Sequence, residues 1–171
     1  MENIFWVRKA IVEDAPVILN ITKNVFKAYQ EQVGITDTIS ALNETIEDVI
    51  NDIESKEVFI ALFNGKVVGS VRIEIKCDGT AYLSRFGVDS ECQSMGVGKL
   101  LLNAVDDEMI QQNVTTLSLH TASRMLSLVR FYYGKGFYIE STTNDRGYIR
   151  ALLCKEYKAV NINESYKNKV V

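Results

Sequence analysis

Gln93-Ser94-Met95-Gly96-Val97-Gly98-Lys99 is the stretch that decides the reading of this chain. The stretch Ala81 to Val88 precedes it and reads as a strand. After it, Val97, Leu101, Val105 and Met109 recur at helical spacing, which predicts a helix running to about Gln112. The start of a helix leaves several backbone N–H groups unpaired and carries a partial positive charge. Glycines at that point let an anion come close to the main chain. Gly96 and Gly98 supply them, so the loop is expected to bind a phosphate or pyrophosphate.

Three phosphate-binding patterns compete for this loop. A nucleoside-triphosphate loop, G-x-x-x-x-G-K-[ST], would need glycine where Gln93 stands and Ser or Thr where Leu100 stands. The dinucleotide fingerprint G-x-G-x-x-G, started at Gly96, would need glycine at Leu101, and its strand would belong to a βαβ unit. The third pattern, Q/R-x-x-G-x-G/A between a strand and a helix, is met at every fixed position by Gln93 to Gly98.

Working outward, Val58 to Phe63 is a strand candidate followed by Asn64-Gly65, a dipeptide suited to a two-residue hairpin because both positions need positive φ. The next run alternates, with Val71, Ile73 and Ile75 on one face and Arg72, Glu74 and Lys76 on the other, a surface face by this reading. Asp78-Gly79 marks a second hairpin before Ala81, so this part is an antiparallel meander. Upstream, Val7 to Ile11 reads as a strand. A helix follows from Glu13-Asp14 to about Glu31, with Pro16 in its first turn and Val17, Ile21 and Phe26 facing inward. A second helix covers about Leu42 to Ser55. Downstream, Thr115 to Leu119 is a strand and Ser123 to about Lys135 a helix, ended by Gly134-Lys135-Gly136. Phe137 to Thr142 and Tyr148 to Tyr157 close the chain as strands. The trio Asp106, Asp107 and Glu108 is expected on a solvated face. The fold class is therefore α/β, an α+β layered arrangement of a mixed, mostly antiparallel sheet flanked by helices.

Bulk properties bound the function. A chain of 171 residues suits one domain, taken as 1–158, with a polar tail at 159–171. A net charge of −3 argues against nucleic acid, which wants a basic surface. Cys77, Cys92 and Cys154 are odd in number and widely spaced, which predicts reduced thiols and neither a disulfide framework nor a metal site. The first residues lack a basic and then apolar leader, and no run approaches a membrane span. The expectation is a cytoplasmic protein with no nucleic-acid or membrane partner.

With the loop, its flanking strand and helix, and a second motif downstream, the chain resembles the GNAT-type N-acetyltransferases from about Val7 to Tyr157. The second motif is Tyr132-Tyr133-Gly134-Lys135-Gly136-Phe137, similar to the family's Y-x-x-x-G-F. The resemblance implies the GNAT-like acyl-CoA N-acyltransferase fold and acetyl-CoA as acyl donor, with no metal. It places Gln93, Ser94, Met95, Gly96, Val97 and Gly98 around the pyrophosphate, with Lys99 adjacent. Phe86, Gly87 and Val88 would offer main-chain groups to the pantetheine arm, and a glycine in a strand often marks a bulge or a close backbone approach. Tyr132 would protonate the leaving thiolate.

Two departures stand out. Asp89-Ser90 replaces a proline common after the strand, and the stretch Ser123-Arg124-Met125 lacks the family's asparagine, leaving Ser123 or Ser127 as substitutes. The family's glutamate near the start of the β strand is also absent from Thr80 to Ser84. Glu74 on the neighbouring strand is the substitute base, with Tyr82 acting through a water as another option. His120, the only histidine, is read as a structural residue outside the site. The implied reaction is acetyl transfer to a primary amine, of a small molecule or a peptide, by direct attack in a ternary complex. The alternatives are an acyl-CoA-binding sensor without catalysis and transfer of a longer acyl group. A homodimer is the assembly common in the family.

Overall fold

The computed structural model describes residues 5–158 apart from position 38, so the tail expected at 159–171 lies outside the described residues. The elements are β1 (Phe5–Lys9), α1 (Ala15–Val33), α2 (Ile46–Ser55), β2 (Glu57–Phe63), β3 (Lys66–Ile75), β4 (Thr80–Val88), α3 (Val97–Gln111), β5 (Thr116–Ala122), α4 (Leu126–Gly134), β6 (Tyr138–Thr143) and β7 (Arg150–Glu156). They build one seven-stranded sheet in the order β1-β2-β3-β4-β5-β7-β6. Every neighbouring pair is antiparallel except β4 with β5. This is the mixed, mostly antiparallel sheet flanked by helices that the pattern predicts.

Each face of the sheet has its own cover. Ala15 and Ile18 of α1 and Val49 of α2 pack with Val58, Ile60 and Leu62 of β2 on one face. On the other, Val97, Leu101, Leu102, Val105 and Met109 of α3 and Tyr132 of α4 pack with Val71, Ile73, Ala81, Leu83, Leu117, Leu119 and Leu153. Each fully buried aliphatic side chain contributes about 1.5–3 kcal/mol, so the α3 stripe anchors the helix firmly. The hairpin after β2 has Asn64 at φ 48° and Gly65 at φ 81°, the positive values its dipeptide predicts.

Several boundaries differ from the sequence reading, for local reasons. α2 starts at Ile46 because Thr45 caps it: the Asp48 N–H donates to Thr45 Oγ1 (3.2 Å), and the Thr45 N–H donates to Asp48 Oδ2 (2.9 Å). Residues before it, Ser40–Asn43, form a short 3-10 turn. β5 continues to Ala122, taking His120 into the strand, because β7 pairs with it along its whole length. α4 is correspondingly shorter, and Ser123 instead donates through its main chain and its hydroxyl to the Ile149 carbonyl (3.0 and 3.1 Å).

Three burial expectations are corrected. Arg72 is not on a surface face but fully buried, paired with Glu44 and Asp52. Of the acidic trio on α3, only Asp107 is exposed. Glu108 is buried against Lys9 and Gln112, and Asp106 accepts from Lys155 and Tyr157. Phe26 is only half-buried, with the Arg85 guanidinium 5.9 Å from its ring centre.

Candidate active site

The parallel pair β4–β5 is short. Only Thr80, Ala81 and Tyr82 pair with Thr116, Leu117 and Ser118. Beyond this junction β4 runs on to Val88 and β5 to Ala122 without pairing, each held by its other neighbour. The sheet is therefore split between them. A bulge accentuates the divergence: Ser70 faces Gly87 and Arg72 faces Ser84, so Arg85 and Phe86 both stand opposite Val71, with Arg85 at φ 51°.

Main-chain direction along β4 follows from one hydrogen bond. The Asp89 N–H donates to the Val68 carbonyl on the β3 side (2.8 Å). Successive residues point their main-chain groups to opposite sides, so those of Val88 and Phe86 point into the split. Gly87 points back toward β3, and its carbonyl oxygen lies 3.0 Å from where a Cβ on Gly69 would sit. What Gly87 does accommodate is α1, since a Cβ there would meet Val25 at 3.2 Å.

The glycine loop lies at the end of β4. Gln93, Ser94, Met95 and Gly96 are exposed, as is Lys99 in the first turn of α3, while Val97 is buried in the core. Gly96 caps α3 at φ 89°, a value that favours glycine, with nothing within 4 Å of an added Cβ. Gly98 has a different cause: a Cβ there would lie 3.0 Å from Phe86 Cζ and 3.3 Å from Phe131 Cζ. Those rings stack at 5.7 Å and hold the helix start against β4. The Gln93 side chain donates to the Val88 carbonyl (3.2 Å), tying the loop to the strand. The N–H groups of Val97, Gly98 and Lys99, at the start of α3, have no intrahelical acceptor and stand with exposed Lys99 at the mouth of the split.

Tyr132 of α4 is buried among Phe86, Phe131 and Phe137, with ring centres 5.5 to 6.0 Å away. Burial holds its phenol well above the ordinary tyrosine value, and the nearby Tyr29 and Tyr82 phenols raise it further. It is thus a neutral O–H at physiological pH, a proton donor. Tyr29 of α1 reaches the far side of the split, where its hydroxyl accepts from the Ala122 N–H (2.8 Å).

Tyr82 and His120 face away from α3, because their neighbours Ala81, Leu83 and Leu119 fill the α3 side. The Tyr82 hydroxyl lies 2.9 Å from His120 Nδ1, across the gap. Burial lowers the imidazole below the ordinary histidine value, and Arg150 and Arg146 lower it further against the opposing pull of Asp145. Glu74 stands beside Tyr82 on β3, exposed to solvent. The structure thus gathers the loop residues, Phe86, Val88, Tyr132 and Tyr82 around one split. It sets Glu74 on its outer side, adds His120, which the sequence reading keeps outside the site, and closes the far side with Tyr29. The only sequence signal for His120 is its place at the end of a strand that flanks the split.

Among the described residues, no helix is long and apolar enough to cross a membrane. The model of the acetyltransferase (GNAT) family matches residues 23–137. Solved structures share the fold at low identity. The PaiA N-acetyltransferase from Thermoplasma acidophilum, in complex with coenzyme A, superposes with a TM-score of 0.78 at 18% identity, covering 90% of this chain and 99% of that one. An N-acetyltransferase from Staphylococcus aureus gives 0.74 at 19% identity, over 91% and 99% of the two chains. The ribosomal-protein-S18-alanine N-acetyltransferase from Escherichia coli gives 0.70 at 18%, over 93% and 99%.

Proposed function

The chain belongs to the acetyltransferase (GNAT) family, and from that premise we propose that it moves the acetyl group of acetyl-CoA onto a primary amine by direct attack in a ternary complex. The observation that carries this reading is the split between β4 and β5, which ends beside the unpaired N–H groups at the start of α3. A long donor with a pyrophosphate at one end and a thioester at the other fits that layout, and one of the solved structures of this fold holds coenzyme A.

In this reading the main chain from Gln93 to Gly98 cradles the pyrophosphate, with the Lys99 ammonium nearby. The pantetheine arm pairs with Phe86 and Val88 as an added strand, and Gly87 serves by letting α1 pack closely. The Val88 N–H polarises the thioester carbonyl. Tyr132 gives its proton to the departing sulfur. Residues 1–158 act as a single domain in the cytoplasm, and the acceptor is an amine of a small molecule or peptide. The proposed assembly is a homodimer.

The test is calorimetric titration with acetyl-CoA, with ATP and NAD as controls, followed by release of free thiol in the presence of a panel of primary amines. Micromolar binding of acetyl-CoA alone, with amine-dependent thiol release, is the expected result. Binding without transfer to any amine points to the sensor reading. Tighter competition by longer acyl-CoA molecules points to a different donor, and no binding overturns the proposal.

A further inference from the structure

We propose that Tyr82 and His120 form the proton-accepting pair that converts the incoming ammonium into a nucleophilic amine. The inference rests on the acetyl-transfer reading above and names the base which that reading lacks. Three observations carry it. First, Tyr82 is the last β4 residue paired to β5, so its side chain stands where the split opens. Second, its hydroxyl meets His120 Nδ1 at 2.9 Å, with the rings tilted at 5.8 Å between centres, and both face away from α3. Third, the pair and Tyr132 flank the split from the two faces of the sheet: Tyr82 and His120 lie away from α3, and Tyr132 packs on the α3 face against Phe86.

Glu74 is the weaker candidate on position. It sits one strand further from the split, on β3 opposite Tyr82, with its carboxylate in solvent. His120 is held in the neutral form that a base requires, first by burial and then by Arg150 and Arg146, with Asp145 opposing. Burial raises the Tyr82 phenol, and Arg150, Arg146 and Arg85 temper that rise. Tyr82 therefore works as a relay and not as a free phenolate.

The ammonium N–H proton passes to Tyr82 Oη as the Tyr82 proton passes to Nδ1 of a ring already protonated on Nε2, leaving an imidazolium. The freed lone pair attacks the thioester carbon. On collapse the C–S bond breaks, the nitrogen sheds its second proton, and one proton ends on the sulfur. His120, only half-buried, returns its proton to water. Tyr82 touches the acceptor, and His120 acts through Tyr82.

The test compares amines that differ in their need for a base. Hydroxylamine is mostly neutral at neutral pH, whereas butylamine and alanine amide are mostly protonated. Wild type, H120Q and Y82F are assayed for kcat/KM with each amine at pH 7, alongside their affinity for acetyl-CoA. For whichever alkylamine the wild type acetylates faster, both variants are expected to lose about 100-fold or more. With hydroxylamine they should stay within about threefold of wild type, as a lost proton acceptor matters little to a neutral nucleophile. Equal losses with both kinds of amine, with weakened acetyl-CoA binding, would mean the pair merely holds β4 to β5 and would overturn the proposal. So would unchanged alkylamine rates in both variants. A wild type that binds acetyl-CoA but acetylates none of the three amines would instead sink the acetyl-transfer reading itself, and this proposal with it.

Discussion

Arg72 and Glu44 face each other through two parallel charge-assisted hydrogen bonds of 3.0 and 2.9 Å, with the guanidinium side chain wholly shielded from solvent. Glu44 also accepts from Arg85 at 2.6 Å, so one carboxylate joins the buried middle of β3 to the bulge of β4. Asp52 supplies the second anion to Arg72 at 2.7 Å. Removing one partner of a buried pair leaves an uncompensated charge, which costs about 3–5 kcal/mol. Glu44→Gln is expected to lower the urea midpoint by an amount at the bottom of that range, because Asp52 remains, with an unchanged slope. An unaltered midpoint would show that Asp52 alone suffices.

Tyr132→Phe separates chemistry from packing. The ring sits among Phe86, Phe131 and Phe137, and Phe fills the same space. Stability should move by less than about 1 kcal/mol. If the phenol protonates the sulfur, kcat should fall by about 100-fold or more while acetyl-CoA affinity holds. Full turnover at saturating amine would remove Tyr132 from the chemistry.

Gly96 and Gly98 are expected to fail differently. Gly96→Ala places a side chain at φ 89°, a strained conformation that costs of order 1–3 kcal/mol. Gly98→Ala meets no such strain but pushes on Phe86 and Phe131. That should shift the start of α3 and weaken acetyl-CoA binding by about tenfold or more, for an overpacking cost of about 1–3 kcal/mol. Thermal denaturation and calorimetry on both variants distinguish the two. An unchanged acetyl-CoA affinity in Gly98→Ala would mean that the rings yield without moving the loop.

The single histidine gives a clean pH signature. Its folded value lies below its unfolded one, so the unfolded chain binds more protons in that window and stability rises with pH. The contribution is complete above about 6.5, the unperturbed value, and is lost as pH falls through the lower folded value. His120→Gln should flatten the stability profile in that window. The steeper acid limb should remain in both proteins, since Arg8 holds Asp14 below the ordinary carboxylate value. Proton NMR of the one imidazole reads the folded value directly. A value at or above the ordinary one would contradict this account.

Local features of this fold were legible in the sequence. The α3 stripe and the Asn64-Gly65 hairpin follow from spacing and from φ requirements that act within a few residues. What escaped depended on partners far along the chain. Alternation places Arg72 and Glu74 on one face of β3 but does not say that α2 and the segment before it cover only the first of them. Tyr82 and His120 are 38 positions apart, and they meet only because the parallel register sets Tyr82 beside Ser118. Gly87 invites a bulge, yet the positive φ falls on Arg85 instead, and the glycine answers to Val25. At Gly98 the sequence points to an approaching anion, whereas what crowds its missing Cβ is two phenylalanines from other elements.

Three paired residues between β4 and β5 make the middle of the sheet its least cross-linked seam. Amide hydrogens that face an open seam are guarded by no carbonyl, so those of Phe86 and Val88 should trade with deuterated solvent far sooner than those facing β3. A bound donor that pairs with this edge would slow that exchange selectively, turning the substrate into a temporary rung of the sheet and reporting its own seat by mass.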